Sequence, residues 1–278
     1  MKKLLVPTDF SPCADNAVDV ALEIGRKAGA EITFLHLFPD KSGSMHTLKP
    51  ESKLTHHAEQ DAEAGNAKAR LDELVHRAER MGIKAKPLFV LDKGVDKIEN
   101  YIKPLEIGLV VMGSHGASGI RELIVGSQTQ RVVRHSPTPV LVVKYKPDPV
   151  EFPNILFAST FHEDPAPHMD CLIRFAGLWN GTIHLLYIGL EKDKQSKAEV
   201  EEKMNALSNR FTDVKFTQNF ITTNDTEWGI KHAAKDIKPD VIGITTDITV
   251  GSLLFNHSLA ENLVNHEEIP VFVINTRC

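Results

Sequence analysis

The sequence predicts an α/β protein of two tandem doubly wound domains, each a five-stranded parallel sheet with helices on both faces. Three observations predict it. First, apolar runs that read as buried strands alternate with helix-period stretches along the 278-residue chain, the pattern that yields parallel sheets wrapped by helices. Second, the chain repeats itself. Asn154 to Phe161 lies over Lys3 to Phe10, and Gly181 to Ile188 over Ala30 to Leu37, each at an offset of 151. Ile269 to Ile274 lies over Thr138 to Val143 at an offset of 131, so the second copy is the shorter. Third, Lys146 to Pro153 holds three prolines in eight residues, a stiff extended linker. It separates a domain over 1–146 from one over 151–278.

The first copy shows the elements in order. Residues 3–8 read as a strand. Residues 11–28 read as a helix, because Ala14, Ala17, Val18, Ala21 and Leu22 form the stripe of a half-buried one. A strand over 31–37 leads into a polar stretch, 39–55, and a helix over 56–81 stops at Gly82. Then come a strand over 84–90, a helix over 95–103 and a strand over 108–113. Leu109 to Met112 is an apolar run ending at a glycine, as in a buried parallel strand. A helix over 127–135, capped by Ser127 and stopped near Pro137, leads to a last strand over 139–144. In such a sheet ligands sit beyond the carboxyl ends of the strands, where the winding reverses. Asp9 follows the first strand and Gly113 the fourth, so both stand at that edge.

Between the fourth strand and its helix the spacing is Gly113-Ser114-His115-Gly116, nine residues, then Gly126-Ser127. Glycines let backbone approach a ligand closely, and a helix N-terminus offers free N–H groups and a positive dipole end. Together they make a phosphate cradle. Neither G-x-x-x-x-G-K-[ST] nor G-x-G-x-x-G is present, so neither common phosphate or dinucleotide fingerprint applies.

Composition narrows the classes. The chain is 42% apolar and 25% charged with net charge −5, which gives no electrostatic reason to expect nucleic acid or an anionic membrane as a partner. No apolar run is long enough to span a bilayer, and the apolar stretch before Pro7 is too short for a signal peptide. Three scattered cysteines, Cys13, Cys171 and Cys278, suggest no disulfide framework and point to the cytoplasm.

The glycine spacing, the opening Lys3-Leu4-Leu5-Val6-Pro7-Thr8-Asp9-Phe10-Ser11 and the closing Ser136-Pro137-Thr138-Pro139-Val140-Leu141-Val142-Val143 together resemble the universal stress protein family. The resemblance is clearest over residues 1–145 and extends, as a tandem member, over nearly the full length. It implies a Rossmann-like, adenine nucleotide alpha hydrolase-like fold that holds ATP with Mg2+. It places Pro7, Thr8 and Asp9 at the nucleoside, with Asp9 on the adenosine end, and Leu37 along the base. Met112 and Gly113 would border the ribose and first phosphate. His115, Gly116, Gly126, Ser127 and Gln128 would surround the phosphates, largely through backbone N–H groups. Arg131 either adds a charge-assisted bond or is a solvated helix residue. The resemblance implies a regulatory stress-response module with at most weak ATP hydrolysis, since the motif lacks the lysine and metal-holding acid of phosphoryl transfer. ATP would order 39–55 and 116–126 for a protein partner to read. A slow ATPase and a non-nucleotide-binding scaffold are the alternatives. Family members pair through their last strands, so Val140 to Val143 and Val271 to Ile274 are expected to form an internal pseudo-dimer, which could pair again as a homodimer.

The second copy lacks the motif. Thr245-Thr246-Asp247-Ile248 stands where Gly113 to Gly116 stand, His257-Ser258 replaces Gly126-Ser127, and Thr160 replaces Asp9. Asp247 would set a carboxylate against phosphates, so nucleotide is expected in the first domain only. Weaker constellations are His46, His56 and His57 with Asp61 and Glu63, and His162, Glu163, Asp164 and His168; each reads as a metal site or as exposed polar surface. Cys13 beside the first turn reads as a redox thiol or a small buried residue. Trp179 and Trp228 are expected in core or inter-domain packing.

Overall fold

The structure is a computed structural model that describes residues 1–40, 50–114, 126–189, 195–246 and 257–276, without the side chains of 50–58 and 257–258. The first half runs β1 (Lys3–Pro7), α1 (Pro12–Ala28), β2 (Glu31–Pro39), α2 (Pro50–Arg80), β3 (Ala85–Asp92), a 3-10 turn (Ile98–Tyr101), β4 (Leu109–Gly113), α3 (Ser127–His135) and β5 (Val140–Val143). The second runs β6 (Asn154–Ser159), a 3-10 turn (Ala166–His168), α4 (Asp170–Gly177), β7 (Thr182–Gly189), α5 (Lys197–Arg210), β8 (Lys215–Thr222), α6 (Thr226–Ile237), β9 (Val241–Thr246), α7 (His257–His266) and β10 (Val271–Asn275).

The strands form one ten-stranded sheet in the order β3-β2-β1-β4-β5-β10-β9-β6-β7-β8. Each half is a parallel five-stranded unit whose winding reverses between its first and fourth strands. Among the described residues the only antiparallel junction is the seam, where Val271, Phe272 and Val273 pair with Val142, Leu141 and Val140. Side chains alternate across the pleat. Leu4, Val6 and Val111 face one apolar layer with α1, α2, α4 and α5. Leu5, Val110 and Met112 face the other with α3, α6 and α7. Both layers run through the seam, so the two halves share their cores.

Polar contacts lock the seam in a near-symmetric way. Lys144, just past β5, donates to the Asn265 carbonyl of α7 at 3.0 Å. Asn275, its counterpart at the end of β10, donates to the Ser136 and Val133 carbonyls at 2.9 and 3.2 Å. Each residue thus meets the carbonyl-rich end of the other half's helix. Arg134 of α3 grips Glu261 of α7 with two N–H groups. Lys27 lies 4.6 Å over the Trp179 ring, and the Cys171 thiol donates to Gly108 O at 3.5 Å. Burial pushes Cys171 up to about 12, so it stays protonated at neutral pH.

Three expectations change. Helix α2 begins at Pro50, inside the stretch read as polar over 39–55, rather than at 56. The helix over 95–103 is only the 3-10 turn Ile98–Tyr101. Asp92 Oδ1 accepts the N–H groups of Gly94, Val95 and Asp96 at 2.7 to 3.0 Å, Gly94 takes φ +85, and Pro104 forbids extension. Trp228 is not packed inside but is 51% exposed, stacked at 10° on His232. Trp179 is buried against Phe152 and Phe175 as expected. Among the described residues no helix is long and apolar enough to cross a membrane.

The linker is tied down as well as stiff. Asp19 of α1 meets Arg77 of α2 at 2.6 Å and Lys146 of the linker at 3.0 Å. Burial alone would raise the Asp19 pKa, but hydrogen bonds from Lys146 and Arg77 outweigh it and hold the carboxyl below its usual 3.8. A depressed acid stabilises the fold above its unfolded pKa, and that contribution is lost as pH falls through the folded value. Asp19→Asn should therefore cost about 1 kcal/mol at neutral pH. The difference should fade in acid, as urea melts at both pH values will show.

Candidate functional site

The carboxyl ends of β1 and β4 flank the point where the sheet reverses, and a cavity of about 280 Å³ opens there. The first strand leaves through a tight turn. Thr8 N bonds Leu35 O at 2.8 Å, Thr8 Oγ1 accepts Phe10 N at 2.9 Å, and Asp9 Oδ1 accepts Ser11 N at 3.0 Å. Phe10 sits at φ 61, and Ser11 Oγ caps α1 by accepting Ala14 N at 3.2 Å. The His36 ring holds Thr8 O at 2.7 Å. These bonds fix the Asp9 carboxylate at the cavity, on an exposed position between buried Thr8 and Ser11.

Opposite stands α3. Gly126 is its N-cap and makes no side-chain cap bond. Ser127 is therefore the first helical residue rather than the cap expected from the sequence. The first intrahelical bond described is Gln130 N to Gly126 O at 3.0 Å. The N–H groups of Ser127, Gln128 and Thr129 have no partner within the helix, and all three residues line the cavity. Thr129 Oγ1 donates to Gly113 O at 2.9 Å, which ties the helix to the strand end.

Of the expected site residues, Pro7, Thr8, Asp9, Leu37, Met112, Gly113, Gly126, Ser127 and Gln128 all line this one cavity. His115 and Gly116 lie outside the described residues, as do 41–49, most of the loop 116–126, and Asp247. Ala14, Leu35, Ile98 and Thr129 complete the walls without having been singled out from the sequence. Leu35 was legible, since it shares the face of Leu37 two positions on. Ile98 was hidden by the misjudged helix over 95–103. The result is an apolar slot of Leu35, Leu37, Ile98 and Met112 with a carboxylate at one side and open helix N–H groups at another. Such a slot suits a flat apolar ring joined to an anionic tail.

Gly113 has a packing reason as well. A Cβ there would lie 2.9 Å from the backbone C and O of Cys13 and 3.0 Å from Ala14 N, closer than β4 and α1 can tolerate. Gly113→Ala should cost about 1–3 kcal/mol through overpacking, read as a lower midpoint of thermal unfolding. Cys13 itself sits in that contact, its sulfur 3.5 Å from Ser114 Oγ and Val143 O.

The second half keeps the turn but buries two positions that the first half leaves more open. Phe161 N bonds Ser159 Oγ at 3.1 Å and Phe161 takes φ 50, as Phe10 does. Lys203 of α5 donates to Phe161 O at 2.7 Å, where Arg70 of α2 donates to Phe10 O at 3.3 Å. Yet Ser159, Thr160, Ile188, Ile244 and Thr245, the counterparts of Thr8, Asp9, Leu37, Met112 and Gly113, are all 4% exposed or less. Leu37 and Asp9 keep more exposure. In this half α6 is a full helix where the first half has only a 3-10 turn, and Ile230 of α6 shares a buried apolar cluster with Ile188.

Among the described residues no three His, Cys, Asp or Glu side chains converge as metal ligands. Asp164 instead accepts Ala166 N at 2.9 Å and faces Arg210 at 3.9 Å. The side chains of His46, His56 and His57 lie outside those described.

Comparison with known proteins agrees with this geometry. The family model for the universal stress protein family matches residues 1–144. A universal stress protein of Methanocaldococcus jannaschii is 29% identical over 155 residues, 52% of this chain and 96% of that protein. One of Bacillus subtilis is 27% identical over 145 residues, 51% of this chain and 98% of that protein. The crystal structure of a universal stress protein from Archaeoglobus fulgidus superposes with a TM-score of 0.69, covering 98% of this chain and 96% of that one. At 21% identity that likeness is one of fold. The match over more than half its length makes this chain a member of the universal stress protein family.

Proposed function

We propose that the chain is a regulatory nucleotide-binding protein that holds one ATP in its first half. The carrying observation is the single cavity at the winding reversal, where nine residues of the turn and glycine motif meet. In this reading Leu37, Leu35 and Ile98 sandwich the base. Asp9 fixes the adenosine end. The N–H groups at the start of α3 receive the phosphates, helped by the positive end of the helix. The donor set fits a nucleotide better than a bare metal, so Mg2+ would enter with the phosphates.

Among the described lining residues there is no lysine, and the one acid, Asp9, stands at the turn after β1 rather than at the start of α3, which favours binding over turnover. The lost glycine motif and the burial of Thr160 and Ile188 support restriction to the first half. ATP would act by changing a surface near the cavity that a protein partner reads. Titration of the full chain with ATP by calorimetry tests the reading. Saturable binding abolished by filling the base slot, with Leu37→Trp, is the expected result. Binding that survives that substitution would contradict it.

A further inference from the structure

Arg131 of α3 lies four positions after Ser127 and three after Gln128, so it shares the helix face of two cavity residues. Long helical side chains lean back toward the N-terminus, the end of α3 that lines the cavity. The Arg131 Nε donates to Glu99 Oε1 at 2.9 Å. Glu99 follows Ile98 of the cavity wall in the 3-10 turn Ile98–Tyr101. The ion pair therefore bridges two walls of the site. Its members differ in freedom: the Glu99 side chain is 12% exposed, that of Arg131 41%. The acid is fixed and the base is reachable from solvent.

The bond is not the two-point fork that arginine and carboxylate usually form. Glu99 Oε2 is buried with no hydrogen-bond partner, so neither terminal nitrogen of Arg131 meets it. A guanidinium carries five N–H donors, and the Nε anchor engages one. Guanidinium forks match phosphate oxygens, and arginine stays charged at every working pH. A buried acid holding Nε thus leaves the terminal nitrogens outside the pair, on a helix whose first turn lines the cavity.

We propose that Arg131 is the specificity residue by which the site distinguishes nucleotides by their phosphates, and that Glu99 is the positioning residue that aims it. The inference rests on the nucleotide reading of the cavity and adds a side-chain donor to a cradle otherwise made of backbone. The ligand class is a nucleoside polyphosphate in preference to the nucleoside.

Calorimetry of the full chain with adenosine, AMP and ATP tests it, for the wild type, Arg131→Gln, Glu99→Gln and the double variant. Loss of one charge-assisted bond of about 1.4 kcal/mol is a tenfold change. Either single variant should therefore lower ATP affinity by about tenfold and leave adenosine affinity unchanged. The double variant should be no worse than Arg131→Gln alone. Arg131→Lys, a change at a solvent-reachable side chain, should fall between, since it keeps charge without the fork. An ATP-to-adenosine affinity ratio unchanged in Arg131→Gln overturns the proposal. A ratio raised in Glu99→Gln overturns the positioning role, because the acid would then be withholding the arginine. A wild type that binds neither adenosine nor ATP overturns the nucleotide reading itself, an outcome distinct from binding with an unaltered ratio.

Discussion

Asp9→Ala is expected to weaken ATP binding by about tenfold to a hundredfold, the equivalent of about 1.4–2.8 kcal/mol. Two effects combine. Among the described residues the carboxylate is the only acidic side chain lining the cavity, so its removal takes away the acceptor assigned to the adenosine end. It also frees Ser11 N, which Asp9 Oδ1 accepts at 3.0 Å, and so loosens the turn that carries Thr8 and Phe10. Asp9→Asn separates the two, because it keeps an oxygen for Ser11 N while removing the charge. Calorimetry should place it between the wild type and Asp9→Ala. Equal affinity in all three proteins would remove Asp9 from the site.

The largest loss of stability is expected from Phe272→Ala, about 3–5 kcal/mol. Phe272 is fully buried on the seam strand β10, pairs in register with Leu141 of β5, and lies 5.4 Å from the Phe175 ring. The cavity would open in the apolar layer that both halves share. One cooperative transition at a lower denaturant midpoint is the expected result. Two separate transitions would show instead that the halves fold independently and that the seam contributes little.

The fold was legible because its two periodicities are strong in this chain. Leu109 to Met112 and Val140 to Val143 are short apolar runs of the kind that doubly covered parallel strands require, and α3 falls on Ser127–His135 as read. The offset of 151 carries Lys3 to Asn154, and each accepts the same bond from the start of its half's fourth strand. Gly108 N bonds Lys3 O at 2.9 Å, and Asp240 N bonds Asn154 O at 2.8 Å.

What was not legible depends on contacts remote in sequence. Nothing local to Lys97 through Lys103 reveals that Asp92 draws in the N–H groups of residues 94 to 96 and leaves only a 3-10 turn. Ser127 looks like a cap by type, but the backbone places Gly126 there. An empty second site was expected from the lost glycines and Thr160; among the described residues the structure adds that Thr160 and Ile188, the counterparts of Asp9 and Leu37, are buried. Glu99 carried no signal at all until Arg131 was seen to meet it.

The most direct test is to purify the full chain, denature it, and quantify the adenine nucleotide released per chain, before and after incubation with Mg-ATP. One nucleotide per chain, lost in Leu37→Trp and retained in a matching Ile188→Trp variant that remains folded, is the predicted result. Two per chain, or none even after incubation, would contradict a single ATP site in the first half.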